Sequence, residues 1–219
     1  MEQYKVILFD LDGTLSDPKI GITKSVQYAL GKLGINEPDL DKLEPFIGPP
    51  LQVSFREFYQ FDETLTNEAI MYYRERFKVK GMFENKIYEG IPQLLASLKA
   101  RGYRLGVATS KATVFADEIV KYFDIEGYFD IVAGSFLDGT RTAKGEVIAY
   151  ATEHFPQVSP QQFIMIGDRK YDMIGAHENG IACIGVTFGY GSYEELQEAK
   201  ATKIVNSVSE LEQLFIREL

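Results

Sequence analysis

The sequence is poor in the residues on which several common kinds of site depend. It has a single cysteine, Cys183, which excludes an internal disulfide and any metal site built from several cysteines. Cys183 lies in an apolar run, so we expect a small side chain buried in a strand. The two histidines, His154 and His177, fall within helical patterns, and no Gly-x-x-x-x-Gly-Lys-Ser/Thr segment occurs. A zinc, serine or P-loop hydrolase therefore finds little support.

Basic residues and long apolar runs are also scarce. Lysine and arginine number 23 against 32 acidic residues, which gives a formal net charge of -9. So acidic a surface repels polyanions, and we expect no nucleic-acid partner; a small anionic substrate would need local cations. No apolar run approaches the roughly 18 residues of a membrane span, and residues 1–10 turn acidic too soon for a signal peptide. We therefore expect a cytoplasmic protein without a membrane partner.

Six short apolar runs are typical of strands, and several are apolar at almost every position. Strands of that kind are buried on both faces, which predicts an α/β fold with a Rossmann-like parallel sheet covered by helices. The predicted strands span residues 4–10, 103–109, 129–134, 163–168, 181–187 and 203–206. The predicted covering helices span residues 90–101, 112–123, 145–154, 171–179 and 210–216.

The segment 17–88 differs from the rest, because it has helical patterns and many aromatic residues but no convincing strand. The helical patterns span residues 19–33, 51–59 and 66–78. We therefore predict an inserted all-helical cap domain over 17–88 and an α/β core domain over 1–16 and 89–219. The aromatic side chains are expected to form the core of the inserted domain rather than a ligand cage.

Two carboxylates, Asp10 and Asp12, follow the first predicted strand. Residues two apart in an extended chain project to the same side, so these charges repel each other unless a cation stabilises them. Mg²⁺ prefers oxygen ligands of this kind. Gly13 permits a turn with close approach of a ligand, and Thr14 offers a hydroxyl or an amide proton. Two alternatives stay open: an ordinary acidic turn, and a calcium loop, which would need glycine where Leu15 stands.

Polar residues also follow the later strands, and ligands of open α/β sheets bind beyond these strand ends. Thr109 and Ser110 can form a phosphate cradle at a helix N-terminus, although such residues also cap ordinary helices. Asp168 and Asp172 can complete a magnesium site, or compensate the charge of a helix N-terminus. Lys144 alone is typical of a solvated surface lysine. Together with the residues at the other strand ends, Lys144 supplies the local positive charge that an anionic substrate needs on so acidic a chain.

These four segments, in this order and at these strand ends, resemble the haloacid dehalogenase-like hydrolase superfamily. The shared pattern is Asp-x-Asp-x-Thr, an apolar strand ending in Thr or Ser, a lone Lys, and Gly-Asp-x-x-x-Asp, and it extends over essentially the whole chain. The inserted helical domain is similar to the family's first cap type. The segment 46–51 resembles members called phosphoglycolate phosphatases and 5′-nucleotidases. Gly145 is a departure, since many relatives have Pro after the lysine, which affects the turn more than the chemistry.

The resemblance implies a phosphatase with magnesium as its cofactor. Asp10 would attack the phosphorus and form an aspartyl-phosphate. Asp12 would act as general acid toward the leaving alcohol and then as general base toward water. Mg²⁺ would be held by the Asp10 carboxylate, the Asp12 carbonyl oxygen and Asp168. Asp172 would support the metal through water or orient Lys144.

The resemblance also implies which groups bind the substrate. The phosphoryl group would be held by a core set comprising Gly13, Thr14, Thr109, Ser110 and Lys144. The cap would exclude water and select the leaving group. Its candidate contacts are Lys24, Gly48, Pro49 and Arg56. The Gly-Pro pair among them suits a plain helix-breaking turn equally well.

The expected substrate is a small phosphorylated metabolite, such as a 5′-nucleotide or a phosphoglycolate-like molecule. A sugar phosphomutase of the same fold and a catalytically silent regulatory or binding protein are the alternatives. A haloacid dehalogenase fits less well, because its chemistry does not use the magnesium constellation that includes Asp12 and Asp168. The sequence leaves open the individual substrate and whether the protein is a monomer or a homodimer.

Overall fold

The computed structural model describes residues 3–216. Residues 1–2 and 217–219, which the sequence assigns to the ends of the core domain, lie outside the described residues. The chain divides into two compact units: one runs up to Asp17 and resumes at Ile87, and the other is Pro18–Lys86. The sequence places the corresponding boundaries after residues 16 and 88. Within the described range, every helix is too short or too polar to span a lipid bilayer.

The first unit is built on a six-stranded sheet in which every neighbouring pair of strands is parallel. The strand order is β5-β4-β1-β6-β7-β8, which confirms the predicted α/β fold. All six predicted strands form, with ends shifted by a few residues. Their bounds are β1 Val6–Phe9, β4 Arg104–Ala112, β5 Ile131–Ser135, β6 Phe163–Gly167, β7 Ala182–Val186 and β8 Lys203–Val205.

The register between β1 and its two neighbours determines where the strand ends meet. Phe9 lies opposite Val107 of β4 and Ile166 of β6. The backbone N–H of Asp10 donates to the carbonyl oxygen of Ile166 at 2.8 Å. The strand order reverses at β1, and such a topological switch point is where open α/β sheets bind ligands. Asp10 therefore lies at the position where this fold class places its sites.

Six helices surround this sheet in the described part of the chain, and five of them match predicted ones. The sixth, α8, has only six residues, too few for a helical period to show in the sequence. It begins where the Ser192 side chain accepts a hydrogen bond from the Glu195 N–H at 3.1 Å. The helices are α4 Ile91–Ala100, α5 Thr113–Tyr122, α6 Lys144–Glu153, α7 Lys170–Glu178, α8 Tyr193–Glu198 and α9 Val208–Ile216.

Apolar side chains of the sheet pack against the helices that cover it. Leu8, Met165 and Cys183 belong to one buried cluster with Val147 of α6 and Met173 of α7. Cys183 is a free, buried cysteine, as its apolar surroundings in the sequence predict. A core of this kind holds the strand ends in fixed positions, because protein interiors are close-packed and resist deformation.

The second unit contains three α-helices: α1 Lys19–Lys32, α2 Leu51–Tyr59 and α3 Glu63–Phe77. Aromatic side chains form much of its interior. Phe55 is fully buried, its ring centroid lies 4.9 Å from that of Phe46, and it stacks on Phe61 at 5.9 Å. Asp62 begins α3 by accepting a hydrogen bond from the Leu65 N–H at 2.9 Å. The aromatic residues therefore serve the packing of this unit, as expected.

The stretch expected to lack strands contains one exception. Two-residue strands, β2 Ser16–Asp17 and β3 Lys86–Ile87, pair with each other in a small separate sheet. The expectation of no strand near residues 86–87 is therefore wrong. Two residues are too few to produce the alternation of apolar and polar positions by which a strand is recognised in a sequence.

Candidate active site

Three carboxylates meet at the carboxyl ends of β1 and β6. Asp10 follows β1, Asp168 follows β6, and Asp172 lies in the first turn of α7. One oxygen of each lies within 4.8 Å of the other two, and all three residues are buried. Burial, and then the charges of Asp172 and Asp10, raise the pKa of Asp168 well above its usual range. The cluster is therefore electrostatically costly unless positive charge is close to it.

Lys144, the first residue of α6, supplies part of that charge. Its Nζ lies 2.8 Å from Asp10 Oδ1 and 2.8 Å from Asp172 Oδ1, and it donates to the carbonyl oxygen of Ala108 at 3.0 Å. Burial alone would lower the pKa of Lys144, but Asp10 and Asp172 outweigh burial and raise it. Burial raises the pKa of Asp172 to about 6, although Lys144 opposes the increase. Lys144 is therefore a permanently charged bridge between two carboxylates.

A second buried lysine, Lys111, contacts Asp12. Its Nζ lies 2.7 Å from Asp12 Oδ2, and both side chains are almost fully buried. Burial raises the pKa of Asp12, and Lys111 opposes the increase. Sequence reasoning missed this pair. Its only signal is the position of Lys111 directly after Ser110, which does not distinguish a buried lysine from one on the surface.

The turn after β1 packs tightly against Asp168. Gly13 adopts a positive φ of 85°, and a β-carbon there would lie 2.2 Å from Asp168 Oδ2, so only glycine fits. The buried Thr14 hydroxyl donates to Asp168 Oδ1 at 3.4 Å. Thr14, which the sequence assigns to phosphate binding, thus has its hydroxyl directed at a carboxylate.

Thr109 and Ser110 lie within β4, which extends to Ala112. The prediction that this strand ends at residue 109 is therefore wrong. The pairing of β4 with β5 shifts register after Ala108 and resumes at Ala112 opposite Ser135, and the Ser135 hydroxyl donates to the Ser110 carbonyl oxygen at 3.0 Å. Such an irregularity depends on the partner strand, so the sequence of β4 alone does not reveal it. Thr109 remains buried beside the end of β1.

The residues of this cluster suit a hard divalent cation. Four buried carboxyl groups, those of Asp10, Asp12, Asp168 and Asp172, share only two lysines. Asp12 Oδ1 is buried and has no hydrogen-bond partner among the described residues. Asp10 and Asp168 offer oxygens close enough to share one ion, and magnesium accepts an oxygen set of this kind. Lys111 contacts Oδ2 of Asp12, and the resemblance implies that Asp12 would contribute its main-chain carbonyl oxygen to the ion.

The segment Gly189-Tyr190-Gly191 borders this cluster. The backbone N–H of Tyr190 donates to Asp168 Oδ2 at 2.8 Å. The Tyr190 hydroxyl donates a very short hydrogen bond to Asp17 Oδ1. The loop after β7 therefore takes part in holding one of the clustered carboxylates.

The four residues predicted to contact the substrate from the inserted domain all lie in the second unit. Lys24 on α1 lines a cavity of about 400 Å³ within this unit, and Gly48, Pro49 and Arg56 are not among its lining residues. Gly48 has a positive φ of 105° just before α2 begins, and Arg56 is exposed on α2. The cavity is lined by Lys24, Gln27, Tyr28, Gly31, Lys32 and Arg76.

The fold and the cluster together define a class of protein: a parallel α/β protein with buried carboxylates and lysines at its topological switch point. The model of the family described as haloacid dehalogenase-like hydrolase matches residues 7–186, a range that includes Asp10, Lys144 and Asp172. The chain belongs to the haloacid dehalogenase-like hydrolase family. The resemblance implied by the four sequence segments is thereby confirmed.

Several relatives carry named activities. A 5′-nucleotidase of Pseudomonas aeruginosa is 50% identical over 212 residues, which cover 97% of this chain and 96% of the relative. A protein of Mycobacterium tuberculosis named tyrosine-protein kinase PtkA is 35% identical, over 95% of this chain and 70% of its own length. A phosphoglycolate phosphatase of Colwellia psychrerythraea is 28% identical over a match that covers 90% of this chain and 91% of the relative. Residues 46–51 resemble 5′-nucleotidases and phosphoglycolate phosphatases, and proteins with both names are among these relatives.

A solved structure extends the comparison to the whole fold. The crystal structure of a predicted phosphatase from Clostridium acetobutylicum is 53% identical in sequence and superposes with a TM-score of 0.95. The match covers 98% of this chain and 99% of that one. The chain is therefore similar, along nearly its entire length, to a protein regarded as a phosphatase.

Proposed function

We propose that this protein is a magnesium-dependent phosphatase that hydrolyses a small phosphorylated metabolite through an aspartyl-phosphate on Asp10. The observation that carries the proposal is the setting of Asp10, a buried carboxylate 2.8 Å from Lys144 inside a three-carboxylate cluster. A carboxylate and a phosphate dianion repel each other, so their reaction requires fixed positive charge at the point of contact. Lys144 provides such charge at the nucleophile itself.

In the first step, an Asp10 oxygen attacks the phosphorus. The new bond between Asp10 and phosphorus replaces the ester bond, and the leaving oxygen takes a proton from Asp12. Burial raises the pKa of the Asp12 carboxyl against the opposing effect of Lys111, which favours the protonated form that a general acid needs. Lys111, 2.7 Å away, holds the Asp12 side chain in place.

In the second step, Asp12 removes a proton from water. The water oxygen bonds to phosphorus, the bond to Asp10 breaks, and the products are inorganic phosphate, the free Asp10 carboxylate and protonated Asp12. Both steps use the same two carboxylates, so the enzyme returns to its starting protonation state. Division of the reaction into two displacements replaces one difficult step by two easier ones.

The remaining groups bind the phosphoryl oxygens and the cation. We assign the phosphoryl oxygens to Thr109, the Ser110 amide and Lys144. Magnesium would be held by the Asp10 carboxylate, the Asp12 carbonyl and Asp168. When bound, it supplies electrostatic stabilisation of the charge on the transferring group.

For the substrate we propose a 5′-nucleotide, with phosphoglycolate as the second choice. The half-identical 5′-nucleotidase, aligned over nearly the whole chain, supports the nucleotide. We further propose that the helical unit is the cap, that it supplies the contacts to the leaving group, and that the protein acts in the cytoplasm. The proposed contacts are Lys24, Gly48, Pro49 and Arg56.

The test is phosphate release across a panel of 5′-nucleotides, phosphoglycolate and sugar phosphates. We expect release that chelation by EDTA abolishes and added magnesium restores. Asp10→Asn should show no turnover while its circular dichroism spectrum stays that of the folded protein. The matched control is Asp124→Asn, at an exposed position with a positive φ of 55° that asparagine adopts readily. It should keep the wild-type rate.

Three outcomes of this panel would contradict the proposal. Full activity of Asp10→Asn would remove the nucleophile from the mechanism. Isomerised sugar phosphates without free phosphate would indicate a phosphomutase. Phosphate found on protein tyrosine, with none released, would indicate the activity in the name of the mycobacterial relative.

A further inference from the structure

The loop between β7 and α8 lies directly against Asp168. A β-carbon at Gly189 would lie 2.2 Å from the Gly13 carbonyl oxygen and 2.5 Å from Asp168 Oδ2, and one at Gly191 would lie 1.9 Å from the Asp168 carbonyl oxygen. Contacts this short with backbone atoms leave no room for a side chain. The two glycines therefore permit an approach that brings the intervening residue, Tyr190, onto the carboxylate.

The main chain of Tyr190 fixes one oxygen of Asp168. Its N–H donates to Asp168 Oδ2 at 2.8 Å, and Thr14 donates to Oδ1 at 3.4 Å. The carboxylate is thus held by hydrogen bonds at both oxygens. Its orientation relative to Asp10 depends on where the loop holds that N–H.

The side chain of Tyr190 fixes the loop. Its hydroxyl donates to Asp17, the last residue of β2. Burial, and then Asp17, raise the pKa of Tyr190 far above its usual range, so the phenol keeps the proton that it donates. The neighbouring Phe188 packs edge-on against Tyr88, with ring centroids 5.3 Å apart. Every group in this network belongs to the first unit.

We propose that Tyr190 is a positioning residue for the metal site: its phenol, anchored on Asp17, holds its own backbone N–H on the carboxylate of Asp168. This inference rests on the proposed function, because Asp168 must receive magnesium for its orientation to matter. Groups that orient metal ligands by hydrogen bonds commonly contribute 10-fold to 100-fold in metal affinity. Removal of the phenol oxygen should therefore weaken magnesium binding while the ring still fills its place.

The experiment measures magnesium binding by isothermal titration calorimetry, without substrate, so that the readout does not depend on turnover. Tyr190→Phe should bind magnesium about 10-fold more weakly than the wild type. The matched control is Tyr193→Phe, which removes the hydroxyl of a half-exposed tyrosine at the start of α8. It should leave the dissociation constant unchanged.

A pair of variants at Asp17 separates positioning from folding. Asp17→Asn keeps an oxygen that can accept from the phenol, so it should bind magnesium nearly as the wild type does. Asp17→Ala removes the acceptor and should reproduce the loss seen in Tyr190→Phe. Because both act through one hydrogen bond, the double variant Asp17→Ala/Tyr190→Phe should be no weaker than either single variant.

The outcomes are distinguishable. A wild type that binds magnesium, with an equal constant for Tyr190→Phe, would overturn this inference and leave the proposed function standing. Fully additive losses in the double variant would also overturn it, because the two groups would then act separately. A wild type that binds no magnesium would overturn the proposed function together with this inference.

Discussion

Two lysines, one in each unit of the molecule, form ion pairs of similar length in opposite surroundings. Lys144 lies 2.8 Å from Asp10 in the first unit, with side chains 4% and 5% exposed. Lys19 lies 2.6 Å from Glu44 in the second unit, with side chains 32% and 41% exposed. Exposed pairs contribute 0–1 kcal/mol in general, whereas a buried pair that loses one partner leaves a charge that water cannot reach.

The difference separates two uses of charge in this chain. In the first unit, buried carboxylates outnumber the lysines beside them, so their charge favours a cation, and the proposed anionic substrate would need the positive charge of that cation and of Lys144. In the second unit, charges neutralise one another locally, as Arg76 and Glu84 do at 2.8 Å. Substitutions of ion-paired residues in the first unit should therefore change chemistry, and those of ion-paired residues in the second unit, apart from the proposed substrate contact Lys24, should change only stability.

The largest effect is expected from Lys144→Met, which removes the only lysine that contacts Asp10 and Asp172 among the described ion pairs. Phosphatase activity should fall by about 1,000-fold, since this lysine stabilises the transferring phosphoryl group. The free energy of unfolding in urea should fall by about 3 kcal/mol, because two buried carboxylates lose their partner. Lys19→Met, the matched control, should keep its activity and lose less than about 1 kcal/mol. Equal effects of the two changes would remove the contrast between the units.

A smaller loss is expected from Lys111→Met, which frees the Asp12 side chain from its partner 2.7 Å away. Activity toward an alkyl phosphate should fall by about 100-fold, the lower range of general-acid catalysis. Activity toward p-nitrophenyl phosphate should fall less, because its leaving group needs no proton. Lys121→Met on the exposed face of α5 is the control and should match the wild type. Equal losses of kcat/KM with both substrates, a quantity that reports only formation of the aspartyl-phosphate, would show that Lys111 does not act through Asp12 as general acid.

The raised pKa of Asp172 gives a prediction about stability and pH. Its pKa is about 6 in the folded protein against an ordinary 3.8, so the folded state binds this proton more tightly than the unfolded chain. The ionised carboxylate therefore costs stability above pH 6, and the cost disappears as the pH falls toward 3.8. In EDTA, Asp172→Asn should be more stable than the wild type by about 2 kcal/mol at pH 7 and about half of that at pH 5. Urea unfolding at the two pH values measures this difference, and a variant less stable than the wild type at pH 7 would contradict it.

The smallest effect is expected in the second unit. Asp62 accepts the Leu65 N–H at the start of α3, and Asp62→Ala should lower the free energy of unfolding by about 1 kcal/mol through loss of this cap. Asp62→Asn retains a side-chain oxygen that can accept this hydrogen bond, so its free energy of unfolding should fall by only about a few tenths of a kcal/mol. Phosphate release at 25 °C should be unchanged in both. A fall in turnover without a fall in stability would show that charge in this unit does act on the chemistry.

The sequence predicts the sheet and the meeting of its strand ends, because parallel strands buried on both faces are apolar throughout and carry their polar residues at one edge. For that reason Asp10, Asp168 and Lys144 could be expected together. The contacts of Lys111 with Asp12 and of Tyr190 with Asp168 could not be expected. These contacts depend on the shifted register of β4 and on a loop packed by its glycines, and neither feature has a local sequence pattern.

The most direct measurement is a search for a phosphoryl group on Asp10. The enzyme is mixed with substrate and magnesium, quenched in acid within a turnover, digested and examined by mass spectrometry. We predict an acid-stable, base-labile phosphoryl group on the peptide that contains Asp10, and none in Asp10→Asn or in EDTA. Rapid release of phosphate by an enzyme that never carries a phosphoryl group on Asp10 would contradict the central claim.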